Sequence, residues 1–287
     1  MAEILTGAPV IKDVKESVNK RARHLMANGI NPKMSIIRVG NNPDDCWYEK
    51  SIIKFCKETD ILTNRIELSE DAPENELIDA IHSVNDDPNV HGLMLFRPLP
   101  KHINDNKVRM EISPSKDIDG ITDASVAGVF VGKGIGFSPC TAAACVKLLK
   151  FYHIPIAGKH IVIIGRSLVV GKPLSMMLLN ENATITICHS KTLDIENICN
   201  RADILISAVG KKHLVNAKFF NDRQVVIDVG FNPDTDGRFV GDVDFIEAER
   251  FVKAITPVPG GVGGITTCIL AEHTVTAAEL ISKIKLK

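Results

Sequence analysis

Thr256-Pro257-Val258-Pro259-Gly260-Gly261-Val262-Gly263-Gly264 is the stretch of this chain best suited to holding a ligand. Its two prolines stiffen the approach, and its four glycines let the backbone come close to another molecule and take φ values closed to other residues. Helix-compatible apolar sequence follows from Thr266 to Ile284, so the loop feeds a helix start, where free backbone N–H groups favour polar or anionic groups. A plain tight turn between domains is the competing reading. A second candidate begins where His160-Ile-Val-Ile-Ile164 runs into Gly165-Arg166-Ser167-Leu168-Val169-Val170-Gly171-Lys172-Pro173. Strand, glycine turn and a helix opening at Pro173 form the anchor for a dinucleotide pyrophosphate. Ser167 and Val170 stand where the usual fingerprint has glycines, so an ordinary turn from strand to helix is the alternative. The next strand, 184–188, ends in His189-Ser190-Lys191 without the acidic residue that grips the ribose hydroxyls of NAD. Ser190, Lys191 and Arg166 suit a 2′-phosphate instead, which favours NADP.

These candidates need a scaffold, and the hydrophobic pattern describes one. Val10, Ile11, Val14, Val18, Ala22, Leu25 and Met26 recur at helical spacing up to Gly29. Strands are expected at 34–39, 61–68 and 92–96, with helices at 45–59 and 71–85 between them. The second of those helices is expected to open with a capping box at Asp71-Ala-Pro-Glu74. The glycine-rich stretch from Ser125 to Pro139 shows no assignable period. Thr141 then caps a helix to Tyr152, and strands follow near 160–164, 184–188, 204–207 and 225–229. Strands separated by helices predict an α/β fold with two domains, the second a Rossmann-type doubly wound parallel sheet, and a ligand-holding cleft between them. The domains read as 1–140, joined by a C-terminal helix at 266–287, and 141–265.

The chain has 287 residues and a formal net charge of −1 from 34 basic and 35 acidic side chains, which attracts neither nucleic acid nor an anionic membrane. No apolar run approaches the ~20 residues that cross a bilayer, and the N-terminus lacks the basic region and apolar core of a signal peptide. The seven cysteines have no metal-ligand spacing, so reduced, structural thiols in a cytoplasmic protein without a metal site are expected.

Several motifs occur in order: Val39-Gly-Asn-Asn-Pro43 with Tyr48, Lys116-Asp-Ile-Asp-Gly120, Pro139-Cys-Thr141, Gly165-Arg-Ser167 with Gly171 and Pro173, Asp228-Val-Gly230, and Pro257-Val-Pro-Gly-Gly-Val-Gly263. Together, and nearly end to end, they resemble the bifunctional methylenetetrahydrofolate dehydrogenase/cyclohydrolase family. The resemblance implies a two-domain α/β enzyme, usually a homodimer, that oxidises 5,10-methylenetetrahydrofolate to the methenyl form and hydrolyses that to 10-formyltetrahydrofolate. It also implies that Tyr48 stacks on the aminobenzoate ring, that Asp119 accepts hydrogen bonds from the pterin, and that Pro259 and Gly260 line the pocket. Gly165, Arg166, Ser167, Ser190 and Phe231 would contact the nucleotide. The bland alternatives are a helix-packing aromatic for Tyr48 and a turn-forming aspartate for Asp119.

Two departures change the expected chemistry. The family's lysine, four residues after the tyrosine, is Ile52, and the glutamine that supports it is Phe96. A residue four on lies about 40° round a helix from Tyr48, whereas Lys54 lies about 120° away and Lys50 about 160° away, so neither is expected to substitute. Arg97 is expected to turn to the opposite face of a strand from Phe96. A lysine facing Phe96 or a glutamine facing Ile52 would be an unpaired buried polar group, so the two losses belong together. Hydride transfer from the methylene bridge moves no proton and asks only for orientation and exclusion of water. Hydrolysis of the methenyl cation needs a positioned acid–base group. The expectation is therefore an NADP-linked dehydrogenase with the cyclohydrolase step lost or weakened. The rivals are a bifunctional enzyme using another base, a silent folate-binding protein, and a shikimate-dehydrogenase-like oxidoreductase.

Overall fold

The computed structural model describes residues 1–234 and 237–284. In chain order its elements are β1 (Glu3–Ile4), α1 (Gly7–Ala27), β2 (Lys33–Val39), α2 (Pro43–Glu58), β3 (Leu62–Leu68), α3 (Glu74–Asp86), β4 (Gly92–Leu95), α4 (Asp105–Met110), α5 (Asp123–Val131), α6 (Cys140–Phe151), β5 (His160–Ile164), α7 (Gly171–Asn180), β6 (Thr184–Cys188), α8 (Ile195–Asn200), β7 (Ile204–Ser207), β8 (Val225–Asp228), β9 (Asn232–Pro233), β10 (Phe239–Val240), α9 (Phe245–Glu249), β11 (Ala254–Ile255) and α10 (Gly263–Ser282). The chain forms two compact units, residues 1–12 with 141–266 and residues 13–140 with 267–287. The last three residues of the helix expected at 266–287 lie outside the described residues.

The unit of 13–140 is built on a parallel sheet in the order β3-β2-β4, with Ile37 opposite Ile66 on one side and Leu95 on the other. A parallel bridge from Leu93 to Asp117 brings the 116–120 segment to the β4 edge. Central β2 is buried from Met34 to Arg38, its apolar Met34, Ile36 and Ile37 sharing the interior with the polar Ser35 and Arg38. Ile37, Leu77, Ile81, Val84, Leu93 and Leu95 pack α3 onto this sheet. Helix α2 starts where Pro43 fits a first turn and the Asn42 side chain accepts from Asp44 N. Its buried stripe is Glu49, Ile52 and Cys56. The capping box expected at Asp71 does not form: Pro73 is the N-cap of α3, without a side-chain bond, and Asp71 accepts from the Ser69 hydroxyl instead. The unassigned glycine-rich stretch holds part of α5, capped by Thr122 and ended by Gly132 in the left-handed conformation.

The unit of 141–266 carries six parallel strands in the order β1-β11-β8-β7-β5-β6. From β5 the chain passes to β6 on one side, then crosses to β7 on the other, so the order reverses between β5 and β7. In open α/β sheets a reversal of this kind leaves a ligand-binding crevice at the carboxyl ends of the strands. The first twelve residues fall in this unit rather than with 13–140 because β1 pairs with β11, Glu3 opposite Ala254. Neither two-residue strand stands out in the sequence.

Candidate active site

In the unit of 13–140, the carboxyl ends of the strands deliver Tyr48 through α2, Phe96 just after β4, and Asp119 just after the bridged segment. Tyr48 and Asp119 are both partly exposed and close enough for the Asp119 charge to act on the Tyr48 hydroxyl. Burial pushes the Tyr48 phenol well up, and the neighbouring Asp119 charge adds to that; a side-chain hydrogen bond with Thr267 opposes it. Its ring meets Phe96 edge-on, 6.1 Å between centroids at 78°. The Asp119 carboxyl is pushed up to about 7, first by its dense surroundings and then by the Asp117 charge, against a hydrogen bond from Cys140 and the charge of Arg97.

The rest of the Lys116–Gly120 motif is occupied with structure. Lys116 gives its ammonium protons to the carbonyls of Val84, Asn85 and Asp87 at 2.7–2.8 Å, closing the end of α3. Asp117 accepts from Ile121 N, Thr122 N and the Ser125 hydroxyl at 2.6–3.0 Å, which fixes the turn into α5. Gly120 has φ +69°, and a Cβ there would lie 2.5 Å from Pro139 N, so only glycine lets the 137–140 segment pack against it. Asp119 is the side chain of this motif that faces the site.

Ile52 is completely buried, while Lys50 and Lys54 are exposed. Phe96 is buried as well. The strand ends at Leu95, so the alternation argument does not govern Arg97. Its guanidinium grips Asp105 with two bonds of 2.6 Å, yet remains near enough for its charge to act on Asp119. Sequence reasoning missed the groups behind the site. Cys140 Sγ lies 3.2 Å from the Ile118 carbonyl and 3.7 Å from His273 Nδ1, and Thr267 holds the Tyr48 hydroxyl. The Pro139-Cys-Thr141 motif marked the cysteine without a role; nothing local to His273 or Thr267 signals theirs.

In the other unit, Gly165 ends β5 with φ +126°. A Cβ there would come within 2.4 Å of the Ala208 carbonyl oxygen beyond β7, so glycine is required at the point where the strand order reverses. Helix α7 opens at Gly171, two residues before the expected start, because Ser167 caps the turn: its Oγ accepts from Val170 N at 3.1 Å and its carbonyl from Lys172 N at 3.0 Å. A Cβ on Gly171 would lie 2.1 Å from the Gly165 carbonyl oxygen. Arg166, Ser167, Ser190 and Lys191 are all exposed. Gly165 N donates to Cys188 O at 2.9 Å, which ties the glycine turn to the end of β6 and brings Ser190 beside it. An exposed arginine, a lysine and a serine around a helix N-terminus whose N-cap residue Val170 offers no side-chain bond, with no carboxylate closing β6, fit a phosphorylated dinucleotide. Phe231 follows β8, two strands from β5, and lies flat on Phe239 at 4.0 Å. Pro259 and Gly260 are exposed in the turn from β11 to α10, where Gly7 N donates to Gly260 O at 2.7 Å.

Two buried carboxylates hold the loops at this end. Asp228 accepts from Gly230 N, Asp242 N and Val243 N at 2.9–3.0 Å; burial nevertheless pushes it up to about 6. Asp242 accepts from Ser207 Oγ, Val209 N, Gly210 N, Lys211 N and Asn232 Nδ2. Among the described residues no group of three or more His, Cys, Asp or Glu is placed to hold a metal ion, and no helix is long and apolar enough to cross a membrane.

Residues 5–119 match the family model described as tetrahydrofolate dehydrogenase/cyclohydrolase, catalytic domain, and residues 139–282 match the one described as tetrahydrofolate dehydrogenase/cyclohydrolase, NAD(P)-binding domain. The bifunctional protein FolD of Clostridium botulinum strain Langeland is 47% identical over 279 residues, covering 97% of this chain and 99% of the relative. The structure of the FolD methylenetetrahydrofolate dehydrogenase/cyclohydrolase of Campylobacter jejuni is 39% identical with a TM-score of 0.95, covering 98% of this chain and 99% of that one. The Trypanosoma brucei methylenetetrahydrofolate dehydrogenase-cyclohydrolase, solved with NADP cofactor and inhibitor, is 31% identical with a TM-score of 0.93 over 99% of both chains.

Proposed function

The chain belongs to the tetrahydrofolate dehydrogenase/cyclohydrolase family, and we propose that it oxidises 5,10-methylenetetrahydrofolate with NADP while its cyclohydrolase step is lost or weak. The family match sets aside the shikimate-dehydrogenase-like alternative. In this reading the unit of 13–140 carries the folate and the unit of 141–266 the nucleotide. Asp119 accepts from the pterin, Tyr48 stacks on the aminobenzoate ring, and Pro259 and Gly260 line the pocket. Gly165, Arg166, Ser167, Ser190 and Phe231 hold the nucleotide, with Arg166 and Ser190 on the 2′-phosphate. When bound, the nicotinamide supplies the hydride acceptor. The residues orient the donor carbon and keep water away, and no side chain has to move a proton. A cytoplasmic homodimer is the assembly that the resemblance implies.

The observation that carries the reading is the pairing of Tyr48 and Asp119 with an apolar lining. Phe96 is packed on the Tyr48 ring, and Ile52 fills the buried face of α2 where a lysine would have to reach. The neighbouring cations are committed elsewhere: Lys50 and Lys54 face solvent, Lys116 closes α3, and Arg97 is forked onto Asp105. The test is to assay NADP reduction with methylenetetrahydrofolate beside hydrolysis of methenyltetrahydrofolate against buffer alone. Dehydrogenase turnover with hydrolysis near the buffer rate is expected, and a combined Ile52→Lys and Phe96→Gln variant should gain hydrolysis. Acid–base help is typically worth about 10²–10⁴-fold, so robust hydrolysis by the parent would defeat the proposal. One observation favours that second reading: a carboxyl poised near 7 has the affinity of a general base, so Asp119 is the group to test first if hydrolysis is found. Absence of both activities would leave a silent folate-binding protein.

A further inference from the structure

Helix α10 approaches the site from behind, and His273 is its contact with the Asp119 segment. The His273 Nδ1 atom lies 2.7 Å from the Ile118 carbonyl oxygen. A carbonyl can only accept, so Nδ1 carries the proton and donates it. That carbonyl belongs to the peptide that leads into Asp119. The same nitrogen is 3.7 Å from Cys140 Sγ, and the ring lies 5.0 Å from that of Phe137 at 36°. The thiol has one proton and two acceptors within reach, the Ile118 carbonyl at 3.2 Å and the Asp119 carboxylate. The Ile118 carbonyl oxygen has two lone pairs, so it takes the 2.7 Å bond from His273 and still faces the thiol at 3.2 Å. The thiol thus lies against both ends of the Ile118–Asp119 segment, and the charged carboxylate is the stronger acceptor of its proton. On the other flank, the 137–139 backbone closes against Gly120. Asp119 is thus gripped on both sides, with His273 holding one.

We propose that His273 is a positioning residue for the Asp119 carboxylate: by bonding the Ile118 carbonyl it fixes the Ile118–Asp119 peptide against the Cys140 thiol, which donates to Asp119. This rests on Asp119 being the pterin acceptor, as proposed above.

The test uses the full chain and substitutions that keep or remove the donor. His273→Asn places an amide nitrogen at the same branch point as Nδ1 and keeps a hydrogen bond to Ile118; His273→Leu has similar branching and no donor. His273→Leu should raise the KM for methylenetetrahydrofolate by about tenfold, the effect of one lost hydrogen bond in a buried setting, with kcat and the KM for NADP close to the parent. His273→Asn should restore the folate KM. Cys140→Ala should repeat the defect and Cys140→Ser, which keeps a donor, should not; this second pair decides the matter if His273→Leu fails to fold. An unchanged folate KM in both His273→Leu and Cys140→Ala, or an asparagine variant as impaired as the leucine one, overturns the inference. Asp119→Asn is run alongside. If it too leaves the folate KM unchanged, the assignment of Asp119 fails and the inference with it; if it alone is impaired, only the inference fails.

Discussion

Asp117 and Asp119 stand two residues apart in one motif and have different roles. Asp117 is spent on three local donors, whereas Asp119 receives a single thiol and feels the Asp117 charge. A carboxyl raised from 3.8 to about 7 binds its proton more tightly in the folded chain than in the unfolded one. Its contribution to stability is therefore greatest in acid and declines as pH rises from about 4 to about 7. Asp119→Asn removes that decline, so its melting temperature should exceed the parent's at about pH 8, with the gap closing towards about pH 4. The same variant should bind folate poorly, because its amide presents a donor to the pterin donors. In the parent, kcat/KM for the folate should fall as pH drops through about 7, and a flat profile would return Asp119 to a turn-forming role. Arg166 offers a second test at this scale. It is exposed beside the glycine turn, so Arg166→Ala should raise the KM for NADP about tenfold or more and leave that for NAD nearly unchanged. Equal losses for the two cofactors would remove the 2′-phosphate assignment.

At the scale of elements, α7 can begin at Gly171 only because nothing projects from that Cα toward the Gly165 carbonyl, 2.1 Å from where a Cβ would stand. Gly171→Ala must push the helix start away from the turn. Overpacking of this kind costs about 1–3 kcal/mol, and the KM for NADP should rise about tenfold while that for folate holds. Equal effects on both would mean that the helix start serves the fold rather than the nucleotide. The loops after β7 and β8 depend on Asp242. Its Oδ2 takes Ser207 Oγ, Val209 N and Gly210 N, and its Oδ1 takes Lys211 N and Asn232 Nδ2. In Asp242→Asn either orientation of the amide sets a donor against at least two of these donors. The expected loss is about 2–4 kcal/mol, read as a lower midpoint in urea, with weaker NADP binding in the protein that remains folded.

At the scale of the molecule, the N-terminus belongs to the unit assembled mainly from 141–266. Strand β1 lies at the edge of that sheet, and Gly7 fits under the glycine loop with no room for a Cβ, which would meet the Gly261 carbonyl oxygen at 2.3 Å. Deleting residues 1–5 should therefore release β11. Amide exchange should accelerate at Ala254 and Ile255 and spread to β8, while β2 in the other unit keeps its protection. Loss of protection in β2 first would contradict the two-unit description.

The alternation of apolar runs with helical periods determined the α/β class, and the strands at 160–164, 184–188 and 204–207 were legible residue for residue: 160–164 and 204–207 are buried, mainly apolar runs, and the edge strand 184–188 alternates β-branched Thr and Ile. The break near Thr141, the glycine turn, and Tyr48 with Ile52 on one face of α2 were legible too, because each follows from backbone stereochemistry or helical period. Tertiary structure decided what local sequence does not encode. The two-residue strands β1 and β11 exist only as partners of each other and of β8. Lys116 and Asp119 look alike as charged members of one motif, and only their neighbours assign one to capping α3 and leave the other facing the site. Thr267 and His273 are separated from Tyr48 and Asp119 by more than half the chain, so their contacts come from the return of α10 to the first-built sheet unit, and no local pattern could announce them.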